Sequence, residues 1–334
     1  MHVKILTEEE LRQAVRMDGE AVTAIEAGFS ALAGDQAVMP PVMHIAVPEH
    51  QGDIDIKAAY VRGLDYLAVK VGAGFFNNAA LGLPGSPAMM VAVNVRTGFV
   101  EAVLLDNAYL TDVRTGAAGA VAAKYLAPKA VHTAGLVGAG AQGRYQIEGL
   151  RCVRPFERLL AFDLDKARLA AYVRRMEALL GIPVQAAENV QELVEQSQVV
   201  VTCTPSRKPY LEGRWLHPGQ HLTCMGADLP EKRELMPDVL PKIDLLACDR
   251  KSQCFAMGEL HHGLEAGGID RESDIAELGE ITSGRRTGRR NPAQITFCDL
   301  TGTGVQDTAI ANLALKRAEM LGLGVAIDMG LGRP

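Results

Sequence analysis

A glycine-rich segment in the middle of the chain restricts the fold more than any other feature of the sequence. Gly138, Gly140 and Gly143 form a G-x-G-x-x-G motif, with an apolar run at residues 134–137 before it and a helix predicted at 142–153 after it. Glycine at these positions permits a tight turn, a close approach of the backbone to a pyrophosphate and close helix–strand packing. The context predicts a dinucleotide-binding βαβ unit, and the alternative is a glycine turn in another α/β unit.

A carboxylate at the end of the next predicted strand bears on the choice of dinucleotide. The strand is predicted at residues 159–162 and leads into Asp163, 20 residues after Gly143. That spacing is typical of the carboxylate that hydrogen-bonds a ribose 2′-hydroxyl. Asp163 would repel a 2′-phosphate, so NAD(H) is favoured over NADP(H), and the nearby cations Lys166 and Arg168 weaken that preference.

Composition excludes several classes of protein. The chain has 334 residues, 48% of them hydrophobic, which allows two domains with cores of their own. Its formal charge of −6 and a single short basic cluster, residues 285–290, argue against a nucleic-acid partner. The first ten residues turn acidic at once and no apolar run approaches the ~20 residues of a membrane span. We therefore expect a cytoplasmic protein without a signal peptide or a membrane partner.

The cysteines predict neither disulfides nor a metal site. There are six of them, and none forms a C-x-x-C pair. A zinc site made from Cys248, Cys254, His261 and His262 is conceivable, but it matches no established ligand spacing. Free cysteines are typical of a reducing compartment, and we predict no metal.

The order of predicted elements indicates two kinds of sheet. A capping box at residues 7–10 opens a helix. Strands without intervening helices follow, which predicts an antiparallel or mixed sheet; they are at residues 54–58, 66–71, 89–93 and 100–105. Beyond a helix at 111–125, strands alternate with helices, as in a parallel sheet; these strands are at residues 159–162, 198–202, 221–225, 245–247 and 295–299. A helix at 309–320 most simply returns to the first domain.

Polar residues that follow apolar strands are the candidate ligand contacts, because ligands bind beyond the carboxyl ends of parallel strands. Asp228 comes just after the strand at 221–225, where it is either a catalytic carboxylate or a helix cap or turn former for the segment from Pro230 onward. Thr202, Cys203 and Thr204 end the preceding strand, and their side chains either face a cofactor or satisfy a loop.

Three cations in strand or helix positions predict an anionic substrate. Lys70 lies inside an apolar strand, where an unpaired ammonium would be costly, and Lys57 alternates with apolar residues in the strand before it. Arg114 begins the alanine-rich helix that runs toward the glycine loop, and arginine can hold a carboxylate through two hydrogen bonds. Each cation is alternatively an ordinary salt-bridge partner.

Four segments together resemble the ornithine cyclodeaminase/mu-crystallin family. They are LTDVRTGAA at residues 110–118, GAGAQ at 138–142, HLTCMGADLPEKREL at 221–235 and DLTGTGVQD at 299–307. The resemblance covers nearly the whole chain. It implies an α/β fold in which a Rossmann dinucleotide-binding domain, residues 116–307, joins an α+β substrate-binding and dimerisation domain, residues 1–115 and 308–334. It also implies a homodimer.

The resemblance implies roles for particular residues. Lys70 and Arg114 would hold the substrate α-carboxylate, and Asp228 would be the acid/base at the amino or imino nitrogen, with Lys232 beside it. Together with the motifs, the resemblance implies a set of cofactor-binding residues: Thr115, Gly138, Ala139, Gly140, Ala141, Gln142, Asp163, Thr202, Cys203, Thr204, Met225, Gly226 and Thr301.

Two departures from the family pattern bear on the substrate. The family's early arginine is missing from residues 39–43, and His44 is the nearest polar replacement. Ornithine cyclodeaminases resemble one another in having an acidic residue at the position of Lys57. This position lies thirteen residues before Lys70. A lysine there repels the distal ammonium of ornithine and suits a distal carboxylate.

These observations predict an NAD(H)-dependent imine reductase or amino-acid dehydrogenase. The predicted substrate is a small imino dicarboxylate, as in reduction of iminosuccinate to aspartate, with Lys57, Lys70, Arg114 and His44 as its binding residues. Resemblance to members associated with ectoine degradation suggests another pathway. The alternatives are an ornithine-type cyclodeaminase that uses NAD catalytically and a non-catalytic NAD(P)H-binding protein.

Overall fold

The computed structural model describes residues 2–75 and 77–330, and the chain divides into two compact units. Unit 1 comprises Met1–Arg114 and Thr303–Pro334, and unit 2 comprises Thr115–Gly302. The first boundary lies one residue before the predicted one (115 − 114 = 1) and the second lies five residues before it (307 − 302 = 5). The second difference arises because the last long helix belongs to unit 1 from its first residue.

The described residues form the following elements. The strands are β1 (His2–Thr7), β2 (Ala37–Val38), β3 (Met43–Val47), β4 (Gly52–Val61), β5 (Tyr66–Phe75), β6 (Ala88–Asn94), β7 (Val100–Leu105), β8 (Thr133–Val137), β9 (Arg158–Phe162), β10 (Val184–Ala186), β11 (Val199–Thr202), β12 (His221–Cys224), β13 (Leu245–Cys248), β14 (Ile275–Glu277), β15 (Thr296–Asp299) and β16 (Val325–Asp328). The α-helices are α1 (Glu8–Ala14), α2 (Gly19–Ala33), α3 (Tyr109–Leu126), α4 (Ala141–Val153), α5 (Lys166–Leu180), α6 (Val190–Gln196), α7 (Lys251–Cys254), α8 (Glu259–Glu265), α9 (Leu278–Thr282) and α10 (Gly304–Met320). Short 3-10 segments lie at Pro48–His50, Asn78–Leu81, Gly213–Trp215 and Leu240–Lys242.

Unit 1 is built on a mixed sheet, as the helix-free run of strands predicts. Its strand order is β16-β1-β7-β6-β5-β4-β2, with β3 also on β4. The β1–β7 pairing is parallel and the other pairings are antiparallel. The predicted capping box is confirmed, since Thr7 and Glu10 exchange side-chain and backbone hydrogen bonds at the start of α1. The strands β1 and β16 were not predicted from the sequence.

One face of this sheet is buried within unit 1. Helix α10 packs on β4 and β5, and α2 packs on α10. The Thr308 hydroxyl of α10 donates to the carbonyl of Ala59 on β4 and accepts from the amide of Ala68 on β5. Gly304 allows this close contact, because a Cβ there would lie 2.5 Å from the carbonyl oxygen of Ala58. The first turn of α10 is thereby held against the buried face.

Unit 2 has the parallel sheet that the alternation of strands and helices predicts. The order is β10-β9-β8-β11-β12-β15-β13-β14, and all pairings are parallel. Neighbouring residues of one strand, such as Leu136 and Val137, belong to different core clusters, so both faces of the sheet are covered. The predicted strands β9, β11, β12, β13 and β15 are confirmed to within one residue. The fold is therefore of the Rossmann type.

No helix among the described residues combines the length and apolar composition that crossing a membrane requires.

Candidate active site

The glycine loop of unit 2 has the conformation that its motif predicts. Gly138 follows β8 with φ at +106°, and a Cβ there would lie 2.9 Å from the carbonyl oxygen of Cys203. A Cβ on Gly143 would collide with the carbonyl oxygen of Gly138. At Gly140, by contrast, the Cβ position has no described atom within 4 Å. The loop is thus packed tightly on its inner side and open at Gly140, where a ligand can approach the backbone.

The N-terminus of α4 and the carboxylate of Asp163 fit a dinucleotide. Gly140 is the N-cap of this 13-residue helix and supplies no side-chain capping bond, so the amides of the first turn, from Ala141 onward, suit a pyrophosphate. At the end of β9, Asp163 accepts hydrogen bonds from the amides of Ala139 (2.9 Å) and Asp165 (2.8 Å). Asp163 is therefore fixed beside the glycine loop. Gln142, another predicted cofactor residue, lies half-buried in the first turn of α4.

The side chains at the end of β11 bond within unit 2. The Thr202 and Thr204 hydroxyls donate to Glu234 at 2.6 and 2.7 Å, and the Cys203 thiol donates to the carbonyl oxygen of Gly138 at 3.2 Å. Burial raises the pKa of the Cys203 thiol well above its ordinary value. The Cys203 contact joins the strand end to the glycine loop, and the two hydroxyls are bound by the Glu234 carboxylate.

Glu234 is a buried anchor that the sequence did not single out. One of its oxygens accepts from Thr202 and from the amide of Gly226, and the other accepts from Tyr210 and from the hydroxyl and amide of Thr204. Burial raises its pKa, and these hydrogen bonds oppose that shift. Glu234 thereby connects the segments after β11 and β12, two neighbouring strands whose ends form the cofactor side of a Rossmann sheet.

The remaining predicted cofactor residues of unit 2 lie in ordered backbone positions. The amide of Met225 donates to the carbonyl of Thr202 at 3.1 Å, which continues the β11–β12 pairing. The Thr301 amide and hydroxyl both donate to the buried carboxylate of Asp249. Thr115 is half-buried in α3, and its carbonyl accepts from Gln146 at 2.8 Å.

Asp228 lies after β12 and is paired with a lysine. Its carboxylate accepts from the ammonium of Lys232 at 2.6 Å, where the Asp228 side chain is 52% exposed and the Lys232 side chain 13% exposed. It does not cap any helix among the described residues, and a turn follows it, in which the amide of Lys232 donates to the carbonyl of Leu229 at 3.1 Å. An exposed carboxylate held by a mostly buried ammonium is available to a ligand.

Unit 1 contains a buried cluster of charges at the start of α10. The carboxylate of Asp307 lies 3.3 Å from the ammonium of Lys70 and 3.1 Å from Nε of Arg114, and all three side chains are at most 6% exposed. Burial lowers the pKa of Lys70 to about 7, the charges of Arg114 and Lys57 act in the same direction, and Asp307 opposes them. Asp307 thus contacts both predicted carboxylate-binding cations and favours the charged form of Lys70.

Several polar atoms in this cluster have no hydrogen-bond partner among the described residues. Gln306 accepts from Arg114 at 2.7 Å, while its Nε2 is buried without a hydrogen bond among the described residues. One oxygen of Asp106 is also buried without a hydrogen bond among the described residues. Burial raises the pKa of Asp106 to about 7. Buried polar groups are nearly always satisfied, so these atoms are able to hydrogen-bond a further polar group.

The register of the sheet brings the two lysines together. Lys57 on β4 lies directly opposite Lys70 on β5, so both point to the buried face. His44 lies opposite Asp55 in the neighbouring pair, and its Nδ1 is 2.8 Å from the Asp55 carboxylate. The structure therefore groups Lys57 with Lys70 and Arg114, whereas His44 has an acidic partner of its own.

Comparison with known proteins identifies the family. The model of the ornithine cyclodeaminase/mu-crystallin family matches residues 1–320. The chain belongs to this family. It is 46% identical over 318 residues to an uncharacterized cyclodeaminase of Sinorhizobium fredii, covering 95% of this chain and 96% of the relative.

Three solved structures of the family are similar over nearly the whole chain. One is the Thermococcus litoralis Δ1-pyrroline-2-carboxylate reductase in complex with NADH and L-proline, with a TM-score of 0.92, 30% identity and coverage of 97% and 100%. Another is an archaeal alanine dehydrogenase dimer with bound NAD, with a TM-score of 0.92, 33% identity and coverage of 98% and 100%. The third is the iminosuccinate reductase of Paracoccus denitrificans in complex with NAD+, with a TM-score of 0.90, 30% identity and coverage of 98% and 100%.

Proposed function

We propose that this chain is an NAD(H)-dependent oxidoreductase that reduces a small imino acid to an amino acid, and that its substrate is a dicarboxylate such as iminosuccinate. The observation that carries this proposal is the pairing of Lys57 and Lys70 on one buried face of unit 1, with Arg114 beside Lys70. Similar family members act on imines or amino acids, including the alanine dehydrogenase and the iminosuccinate reductase.

In this reaction the protein positions the substrate and holds its charges. Arg114 and Lys70 hold the α-carboxylate, and Asp307 keeps both cations in place. The Asp228 carboxylate favours the protonated imine nitrogen, which makes the imine carbon electrophilic. Bound NADH supplies the hydride for that carbon. Lys232 orients the Asp228 carboxylate through their 2.6 Å contact.

We also propose that the cofactor is NAD(H) rather than NADP(H). Asp163 is fixed next to the glycine loop by the amides of Ala139 and Asp165, where a 2′-phosphate would meet its negative charge. Arg168 lies 3.8 Å from Asp163 and is 57% exposed, so it is able to turn toward a 2′-phosphate once the carboxylate is removed.

Asp163→Ser is therefore expected to narrow the preference for NADH over NADPH by at least about tenfold, mainly through a lower KM for NADPH. Steady-state kinetics with both cofactors measures the change. Asp165→Ser is the matched control, because Asp165 caps α5 two residues later and has no proposed contact with the cofactor. An unchanged NADH/NADPH ratio in Asp163→Ser would show that Asp163 does not select the cofactor.

Substrate and reaction type are tested in one assay. NADH oxidation is followed with oxaloacetate plus ammonia, with pyruvate plus ammonia and with a cyclic imino acid. We expect kcat/KM to be highest with oxaloacetate plus ammonia, by about tenfold, because an additional charged hydrogen bond contributes about 1.5–3 kcal/mol. Ammonia release from ornithine without net change in NADH would instead indicate a cyclodeaminase. NADH binding without turnover of any substrate would indicate a binding protein.

Lys57→Glu is expected to reduce kcat/KM for the dicarboxylate substrate by about 10- to 100-fold, because a carboxylate there repels the distal carboxylate of the substrate. Activity with a monocarboxylate imine should fall much less. Lys129→Glu, an exposed position of unit 2, makes the same change in net charge and should leave both activities unchanged. If Lys57→Glu leaves the ratio of the two activities unchanged, Lys57 is structural.

We also propose that the chain forms a homodimer through the second face of the unit 1 sheet. The register places Val69, Val91, Val103, Ile5 and Val325 in one row across five strands of that face. The face is apolar and incompletely buried; its strongly exposed members are Met43, Ile45, Leu105, Val325 and Ile327. An apolar sheet face of this extent is typical of a permanent interface, and an archaeal family member with this fold is a dimer.

Val91→Asp is expected to convert the dimer into a monomer, because a carboxylate in the centre of an apolar interface loses its hydration without gaining a partner. Sedimentation equilibrium would then give a mass near 35.7 kDa in place of 71.4 kDa (2 × 35.7). Leu179→Asp is the control, since Leu179 is 48% exposed on unit 2. A dimer that persists in Val91→Asp would rule out this face.

A further inference from the structure

We propose that His261, His262 and Glu265 of unit 2 form a binding site for a divalent transition-metal ion of the zinc class. All three residues lie on α8, and their ligand atoms are within 4.8 Å of one another. The zinc site considered from the sequence shares His261 and His262 with this cluster, whereas its Cys248 and Cys254 are not part of the cluster. This inference is independent of the proposed enzymatic function.

The helix geometry directs the three side chains to one place. Residues three and four positions apart are neighbours on a helix surface, and Glu265 is four residues after His261 and three after His262. Its two oxygens accordingly face different rings: Oε1 is 3.5 Å from Nε2 of His261, and Oε2 is 3.2 Å from Nδ1 of His262. The three ligand atoms lie within 4.8 Å of one another, so binding of one ion requires small shifts of the two rings and of the Glu265 side chain, which is 62% exposed.

The other nitrogen of each ring contacts a backbone carbonyl. Nδ1 of His261 lies 3.3 Å from the carbonyl oxygen of Phe255, and Nε2 of His262 lies 2.8 Å from that of Lys232. A carbonyl only accepts, so these nitrogens carry hydrogen. In the neutral rings the lone pairs then lie on Nε2 of His261 and Nδ1 of His262, the two atoms that face Glu265. Metal-ligating histidines are usually oriented by such carbonyl contacts.

The donor set selects the class of ion. Two imidazole nitrogens and one carboxylate, with water in the remaining position, suit Zn²⁺ and its neighbours among the transition metals. Mg²⁺ and Ca²⁺ prefer sites made of oxygen ligands, so they are disfavoured. The competing account is that both histidines are simply protonated ion-pair partners of Glu265, and it predicts no affinity for metal.

The site is joined to the segment that carries Asp228. His262 is 9% exposed and bonds to the backbone carbonyl of Lys232, whose ammonium contacts Asp228. A bound ion fixes the tautomer of His262 that donates to this carbonyl. We therefore expect the ion to stabilise the folded protein around this segment, and an ion that binds only the native state raises the unfolding midpoint.

The test uses the full chain after treatment with a chelator and dialysis, with Cys152→Ser as the background because Cys152 is an exposed thiol. Zinc chloride alone is titrated by calorimetry, and Co²⁺ is titrated by absorption spectroscopy. We expect one Zn²⁺ per chain with a Kd of about 1 µM or tighter, a rise of several degrees in the unfolding midpoint, and a Co²⁺ spectrum without a thiolate charge-transfer band.

His261→Gln and Glu265→Gln should each weaken binding by at least tenfold, and His50→Gln, an exposed histidine of unit 1, should leave it unchanged. Both site variants change exposed or partly exposed side chains, so folding is retained, and circular dichroism verifies this. Failure to bind Zn²⁺ below about 100 µM overturns the proposal, as does tight binding that neither variant weakens, or a thiolate band in the Co²⁺ spectrum.

Discussion

Asp228→Asn is expected to lower the turnover of imine reduction by about 10²–10⁴-fold. Asparagine keeps the shape of the side chain but cannot offer the negative charge that favours a protonated imine. The Asp228 side chain is 52% exposed, so the substitution should not disturb the fold. NADH oxidation measures turnover, and fluorescence titration measures NADH binding, which should remain within about twofold of the wild-type value.

The matched control for this variant is Glu231→Gln. Glu231 lies on the same segment and its partner is Arg207, 3.2 Å away, so the control removes a nearby charge without touching Asp228. We expect its turnover to equal that of the wild-type protein. Turnover close to normal in Asp228→Asn would exclude an acid/base role, and a matching loss in both variants would indicate a general effect of charge on the segment.

Asp307→Asn is expected to lower both activity and stability. The carboxylate is fully buried between Lys70 and Arg114, and removal of one partner from a buried ion pair costs about 3–5 kcal/mol. Without Asp307 the pKa of Lys70, already lowered to about 7 by burial, falls further. Lys70 then loses its charge at neutral pH, and kcat/KM should fall by about 10- to 100-fold.

The pH profile separates this role from a purely structural one. In the wild type, kcat/KM should decline as pH rises through the pKa of Lys70 in the free protein, because the charged form binds the substrate carboxylate. In Asp307→Asn this decline should move to lower pH. Urea denaturation measures the loss of stability in the same samples.

The double variant Lys70→Met/Asp307→Asn is the control for stability. It removes two of the three buried charges and leaves only Arg114 without the carboxylate, whereas Asp307→Asn leaves both Lys70 and Arg114 without it. We expect it to unfold at a higher urea concentration than Asp307→Asn and to remain inactive. A pH profile and stability that are both unchanged in Asp307→Asn would contradict the proposed role of Asp307.

Local patterns were sufficient for much of unit 2. The spacing of Gly138, Gly140 and Gly143 after an apolar run predicted the turn, and the structure shows why glycine is needed at Gly138 and Gly143. Alternation of strands and helices predicted the parallel sheet, because parallel strands need crossover connections. These predictions succeeded because the signals lie within about 30 residues of one another.

The anchoring carboxylates could not be predicted in the same way. Asp307 follows Lys70 by 237 residues (307 − 70) and Arg114 by 193 (307 − 114), and no local pattern links them. Glu234 looked like one of several charged residues in a loop, and its five hydrogen bonds exist only because the ends of β11 and β12 are neighbours. A polar residue in an apolar stretch, such as Lys70, signals that a partner exists without identifying it.

The same distinction applies to the proposed substrate-binding residues. Alternation within β4 and β5 predicted that Lys57 and Lys70 lie in strands, but their pairing depends on the register between those strands. A shift of one residue would place one of them on the opposite face. The register also separated His44 from the other cations by giving it Asp55 as a neighbour.

The sequence by itself determined the family, the two kinds of sheet and the dinucleotide loop, because each depends on residues that are close in the chain. Only the tertiary structure decided which polar and charged groups contact one another. Asp307 contacts Lys70 and Arg114, and Glu234 contacts Thr202 and Thr204. The rings of His261 and His262 contact Glu265 and two backbone carbonyls. Electrostatic and hydrogen-bonding partners depend on distances of a few ångströms, and strand register and helix packing set those distances.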